Sequence, residues 1–200
     1  MTLNHSSEMA DSDQSNELRA LVVDDEREVA DAYALRLRGV CDVDTAYSGE
    51  AALSLLEDTA IDIVLLDRHM PDMSGDEVLA QLDEAGYYGR VVMVTAVDPD
   101  FDVLELPFDE YLCKPVDKAD IHSVIDQQRR ILAYETLGAY FSAASTCAVL
   151  EAETSPATRE NHAEYTDLAE RADRLEKRAR RLLDDHDILD EFKRIGREEA

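Results

Sequence analysis

From Glu17 to about Arg130, short apolar runs alternate with segments of helical periodicity, and beyond that point the periodicity is helical alone. Leu21-Val22-Val23 predicts a buried strand ending at Asp24-Asp25, after which Val29, Tyr33 and Leu37 share one face of a helix over 26–37. Val43 to Ala46 predicts a second strand, and Ser48 is placed to cap a helix carrying Ala51, Ala52, Leu55 and Leu56. Ile61 to Leu66, apolar except for Asp62, has the pattern of a strand covered on both faces and ends at Asp67. The turn-rich Met70-Pro71-Asp72-Met73-Ser74-Gly75 leads into a helix presenting Val78, Leu79 and Leu82. Val91 to Val94 predicts a fourth strand ending at Thr95, and Tyr111-Leu112-Cys113 a short fifth before Lys114-Pro115. Such alternation predicts an α/β fold: a five-stranded, doubly wound parallel sheet with right-handed crossovers and helices on both faces.

The remainder reads as an all-α hairpin or coiled coil. Asp117 is a candidate cap for a helix whose inner stripe is Ile121, Val124, Ile125, Gln128, Ile131 and Leu132. Leu137, Tyr140, Phe141, Ala144, Cys147 and Ala148 continue the stripe, so the helix either runs on as one rod or bends near Gly138. Ser155-Pro156 opens a second helix. In it Leu168, Leu175, Leu182 and Leu189 recur every seven residues, preceded by three by Tyr165, Ala172, Ala179 and His186. The short polar link over 151–155 favours an antiparallel hairpin, with a parallel homodimeric coiled coil as the rival. The expected organisation is a disordered polar tail over 1–16, an α/β domain over 17–130 and a helical domain over 131–200.

Charge changes this picture. The 200 residues carry 46 acids against 20 bases, a net charge of −26, and only four of the bases are lysines. A broadly basic nucleic-acid binder is excluded. Such a surface repels itself in dilute buffer, whereas at about 1 M salt the screening length falls to about 3 Å. The expected setting is therefore the cytoplasm of a salt-accumulating, halophilic organism. No apolar run reaches the roughly 18 residues needed to span a bilayer, so no membrane partner is expected. The polar first sixteen residues lack the pattern of a secretion signal. Cys41, Cys113 and Cys147 are isolated and odd in number, which fits a reducing compartment better than disulfides or zinc. The five histidines (His5, His69, His122, His162, His186) show no metal-ligand spacing.

Asp24, Asp25, Asp67, Thr95 and Lys114 all fall at the carboxyl ends of predicted strands, the edge where sites form in such sheets. Converging carboxylates repel one another unless a cation sits among them, and hard oxygen ligands suit Mg²⁺. A nearby lysine supplies positive charge for an incoming phosphoryl group, and a hydroxyl adds one hydrogen bond. A carboxylate nucleophile there could take the phosphoryl group as an acyl phosphate.

Over about residues 18–130 these residues resemble the receiver domain of two-component response regulators, the CheY-like fold. The motifs are Val-Val-Asp24-Asp25-Glu26, Asp67-x-x-Met70-Pro71-x-x-x-Gly75, Thr95-Ala96 and Tyr111-x-x-Lys114-Pro115, in the family's order. The resemblance implies that Asp67 is the phosphoacceptor for a sensor histidine kinase. It implies that Asp25, Asp67 and the backbone carbonyl of His69 hold Mg²⁺, with Asp24 acting mainly through water. Lys114 and Thr95 would contact the phosphoryl oxygens, and Tyr111 would be the switch aromatic. The Lys114-Pro115 bond is often cis in this family. The helical tail resembles the HalX domain found after receivers in halophilic archaea.

The segment between Thr95 and Lys114 departs from the family pattern: it is about one helical turn short and contains Pro99 and Pro107. The fourth helix is therefore expected to be very short or replaced by a loop. Arg171, Arg174, Lys177, Arg178, Arg180 and Arg181 cluster within eleven residues. Pairing with Glu170, Asp173 and Glu176 along the helix explains them better than nucleic-acid contact, so a protein output partner is favoured over DNA, with transcription control still open. Two rival functions stand beside the regulator. One is a non-signalling coiled-coil scaffold with a vestigial acid pocket. The other is an aspartyl-phosphate phosphatase, which the His69 two residues after Asp67 argues against. On the leading reading the chain is not an enzyme beyond its own phosphorylation and dephosphorylation.

Overall fold

The computed structural model describes residues 18–96, 101, 106–183 and 189. The predicted tail over 1–16, most of the shortened fourth-helix segment (97–100 and 102–105) and His186 lie outside the described residues. The chain divides into two units, Leu18–Leu132 and the helical part from Ala133 onward.

The first unit is built on five parallel strands: β1 (Arg19–Val23), β2 (Asp42–Ala46), β3 (Ile63–Leu66), β4 (Arg90–Thr95) and β5 (Glu110–Cys113). Their order is β2-β1-β3-β4-β5. The chain steps outward from β1 to β2 and then back past β1 to β3, so the winding reverses between β1 and β3. That reversal opens a crevice at the carboxyl ends of those two strands. Register is specified along the whole sheet, with Val23 opposite both Ala46 and Leu66, Leu66 opposite Met93, and Thr95 opposite Cys113.

Helices α1 (Arg27–Leu37), α2 (Gly49–Asp58), α3 (Gly75–Glu84) and α4 (Lys118–Glu153) follow β1, β2, β3 and β5. Successive residues of a strand point to opposite faces. Leu21, Val23, Val64, Leu66 and Met93 pack on one face with Ala52 of α2 and Val78, Leu79 and Leu82 of α3. Val22, Leu65 and Val92, also buried, point the other way. On that side α1 and the start of α4 are tied together: the Arg36 guanidinium donates to the Val116 carbonyl, and the His122 ring donates to the Arg36 carbonyl at 2.6 Å. Two helix starts carry the caps that the sequence predicts. Ser48 Oγ accepts from Ala51 N at 3.2 Å, and Asp117 Oδ1 accepts from Asp120 N at 2.9 Å.

The second unit is an antiparallel hairpin. α4 is one 36-residue helix, unbroken at Gly138. After it come a short α5 (Pro156–Glu160) and α6 (Ala163–Leu182). Leu137 and Tyr140 of α4 enclose a small core with Ala179 of α6 and Leu189, flanked by Phe141, Ala144, Leu175 and Leu183. Of the heptad positions, Leu175, Ala179 and Leu189 lie in this core. The turn is fastened by Tyr165 Oη donating to Glu151 Oε1 at 2.8 Å and by Arg159 donating to the Glu151 carbonyl at 3.1 Å. One expectation is corrected here. The sequence predicts a single helix from Pro156, whereas the chain breaks at Asn161-His162. Asn161 Nδ2 donates to the Ala157 carbonyl at 2.8 Å and its backbone N–H to Thr158, so the side chain competes with the helical ladder and ends it.

Candidate phosphoacceptor site

The crevice at the sheet switch point is filled by residues lying just past the strand ends. The sheet ladder continues one bond beyond each strand: Asp24 N donates to the Ala46 carbonyl at 3.2 Å, Asp67 N to Val23 at 2.9 Å, and Lys114 N to Thr95 at 2.7 Å. These backbone bonds fix where the side chains start. The Lys114 ammonium then donates to Asp24 Oδ2 at 2.7 Å and to Asp67 Oδ1 at 2.9 Å. The second oxygen of each acid is also held, Asp24 Oδ1 by the Glu26 N–H at 2.9 Å and Asp67 Oδ2 by the His69 N–H at 3.2 Å. The Lys114-Pro115 peptide is cis.

Asp24 is 3% exposed and Asp67 6%, while Asp25 is more open. Oxygens of all three lie within 4.8 Å of one another. Burial pushes the Asp67 carboxyl above its ordinary range, and the neighbouring Asp24 charge adds to this, while Lys114 and the His69 N–H pull the other way without cancelling it. Burial also works against the charge on Lys114, but its bonds to Asp24 and Asp67 outweigh that and hold its pKa above 10.5. One ammonium shared by two buried acids leaves the pocket short of positive charge. The donor set is oxygen only, compact and net negative, which fits a hard divalent cation such as Mg²⁺.

The other sequence-predicted residues surround this cluster. Thr95 is buried at the end of β4, its backbone bonded to Lys114. Tyr111 lies two residues before Cys113 on β5, its ring centroid 5.6 Å from that of Phe108 at the margin of the apolar core. His69 is exposed beside the acids.

Two further features shape this loop: the Gly75 of the sequence motif, and a pair that no sequence pattern foreshadows. Gly75 lies against the backbone of Asp67, where a Cβ would come within 2.3 Å of the Asp67 carbonyl oxygen. Arg68, 9% exposed, donates three hydrogen bonds of 3.0–3.2 Å to the Asp76 carboxylate. An eight-residue separation across a loop leaves no periodic signal for that pair.

Residues 20–126 match the response regulator receiver domain, and residues 130–195 match the HalX domain. The chain belongs to the receiver family of response regulators, with a HalX domain following the receiver. A Haloferax volcanii protein named for transcriptional regulation is 43% identical over 145 residues, 72% of this chain and 25% of its own length. The transcriptional regulatory protein CutR of Streptomyces coelicolor is 42% identical over 102 residues, 49% of this chain and 47% of its own length. Among solved structures, a receiver domain from Methanospirillum hungatei aligns with a TM-score of 0.55 at 26% identity, covering 59% of this chain and 98% of its own. The matched part thus spans a quarter of the Haloferax relative and about half of CutR. No described helix is long and apolar enough to cross a membrane.

Proposed function

We propose that this chain is a phosphorylation-controlled response regulator whose acceptor is Asp67. The observation that carries the reading is the Lys114 ammonium shared between Asp24 and Asp67 at the switch point. A carboxylate oxygen of Asp67 attacks the phosphorus of a phosphohistidine on a sensor histidine kinase. The P–N bond breaks, a P–O bond forms, and the imidazole leaves to be protonated. Asp24, Asp25, Asp67 and the His69 carbonyl are the residues that would hold Mg²⁺, which supplies charge stabilisation for the transferred group. Lys114 moves from its two carboxylates to the phosphoryl oxygens, and the Thr95 hydroxyl contributes one more hydrogen bond. Tyr111 responds to Thr95, and the α4 helix carries the change toward the HalX helices. A difference of a few kcal/mol between two states is enough for such a shift.

The output reading favours a protein partner. Arg174, Lys177 and Arg180 on α6 already pair with Glu170, Asp173 and Glu176 at 3.6, 2.7 and 3.0 Å. The experiment for the acceptor is labelling with a small phosphodonor and Mg²⁺ in molar salt, beside Asp67→Asn. Wild type takes up one phosphoryl group and the variant none, whereas equal labelling sinks the reading. Measuring solution size before and after labelling tests dimerisation through the C-terminal helices. Binding of the labelled chain to DNA at high salt would overturn the protein-partner output.

A further inference from the structure

We propose that Arg68 and Asp76 form a clamp that sets the divalent-cation bite of the site, an inference that rests on the cation-binding reading above. Arg68 lies between the two residues of the β3–α3 loop assigned to the ion, Asp67 through its carboxylate and His69 through its carbonyl. Whatever fixes residue 68 therefore constrains the backbone that joins those two ligands. Two contacts among the described residues hold residue 68. Its carbonyl accepts the Gly75 N–H at 2.9 Å, and its guanidinium grips Asp76 through Nε at 3.1 and 3.2 Å and Nη2 at 3.0 Å. Both anchors belong to the first two residues of α3, itself locked by the Ser74–Glu77 capping box.

The pair closes an otherwise irregular stretch that contains Pro71 and Asp72, the latter at φ 65°. Asp76 also sits in the first helical turn, where a negative charge is favoured. A planar fork bonded to both oxygens of one carboxylate constrains direction as well as distance, which a lysine ammonium does not. Groups that hold ligands in place typically govern metal affinity by 10–100-fold. Arg68 is placed to act through the backbone between Asp67 and His69. It is a positioning residue.

The test uses the full chain in molar salt with Mn²⁺ as the probe, free ion being counted by its paramagnetic resonance signal. Arg68→Met is expected to bind Mn²⁺ about 10-fold more weakly than wild type, with Arg68→Lys falling between. Asp76→Asn, at a half-open carboxylate, shifts affinity the same way and serves if Arg68→Met fails to fold. Leu82→Ala, which loosens the far end of α3, lowers the melting temperature yet keeps wild-type affinity. Arg68→Met and Asp76→Asn binding within twofold of wild type would overturn the clamp, as would an equal loss in Leu82→Ala. If wild type itself takes up no Mn²⁺, the cation-binding reading beneath the clamp fails instead.

Discussion

Lys114 is the residue on which the pocket's electrostatics turn. Removing its ammonium leaves Asp24 and Asp67 buried and facing each other, and stranding buried charges in this way costs about 3 kcal/mol. Lys114→Met is thus expected to lower the melting temperature of the metal-free protein and to reduce Asp67 labelling at least tenfold. Unchanged melting with unchanged labelling would contradict both. At Gly75 the limit is space: an added methyl must displace the Asp67 backbone, for about 1–3 kcal/mol of overpacking. Gly75→Ala should therefore impair labelling with every acid still in place, measured as phosphoryl incorporation per folded chain. The acids and Lys114 were legible in the sequence because each follows a predicted strand directly, and strand ends of a parallel sheet meet at one edge. Arg68 was not, because its partner is reached through a loop whose path no hydrophobic period encodes.

The strands and most helices were legible as elements for the same reason: buried runs bounded by turn residues have few alternatives. The α5–α6 break escaped because Asn161 sits within an unbroken helical pattern and acts through its own side-chain hydrogen bond. The start of α3 offers a test in acid. The Ser74 backbone N–H and hydroxyl both donate to Glu77 and hold its pKa below the ordinary 4.5. A carboxylate so depressed stabilises the fold above that ordinary value and loses the contribution as pH falls through its folded pKa. Melting curves of wild type and Glu77→Gln should therefore be separated at neutral pH and converge on acidification. A gap that persists in acid would assign the effect to something other than ionisation. In the hairpin, Leu182 is 1% exposed, and Leu182→Ala should cost about 2–5 kcal/mol. Faster proteolysis within α6 is the expected readout.

Over the whole molecule, the charge of −26 predicts that stability rises from dilute buffer to molar salt. A melting temperature insensitive to salt would remove the halophilic reading. What the patterns could not supply is the kinase, the target and the arrangement between Thr95 and Lys114, since these depend on surfaces and paths rather than on burial. The depth of Asp24 and Asp67 has a last consequence. A dense ionic atmosphere mutes the exposed pairs along α6, whereas the largely buried bonds of Lys114 to Asp24 and Asp67 are screened much less. Brine therefore divides the protein's electrostatics in two, quieting the exterior while weakening far less the forces that would govern phosphotransfer.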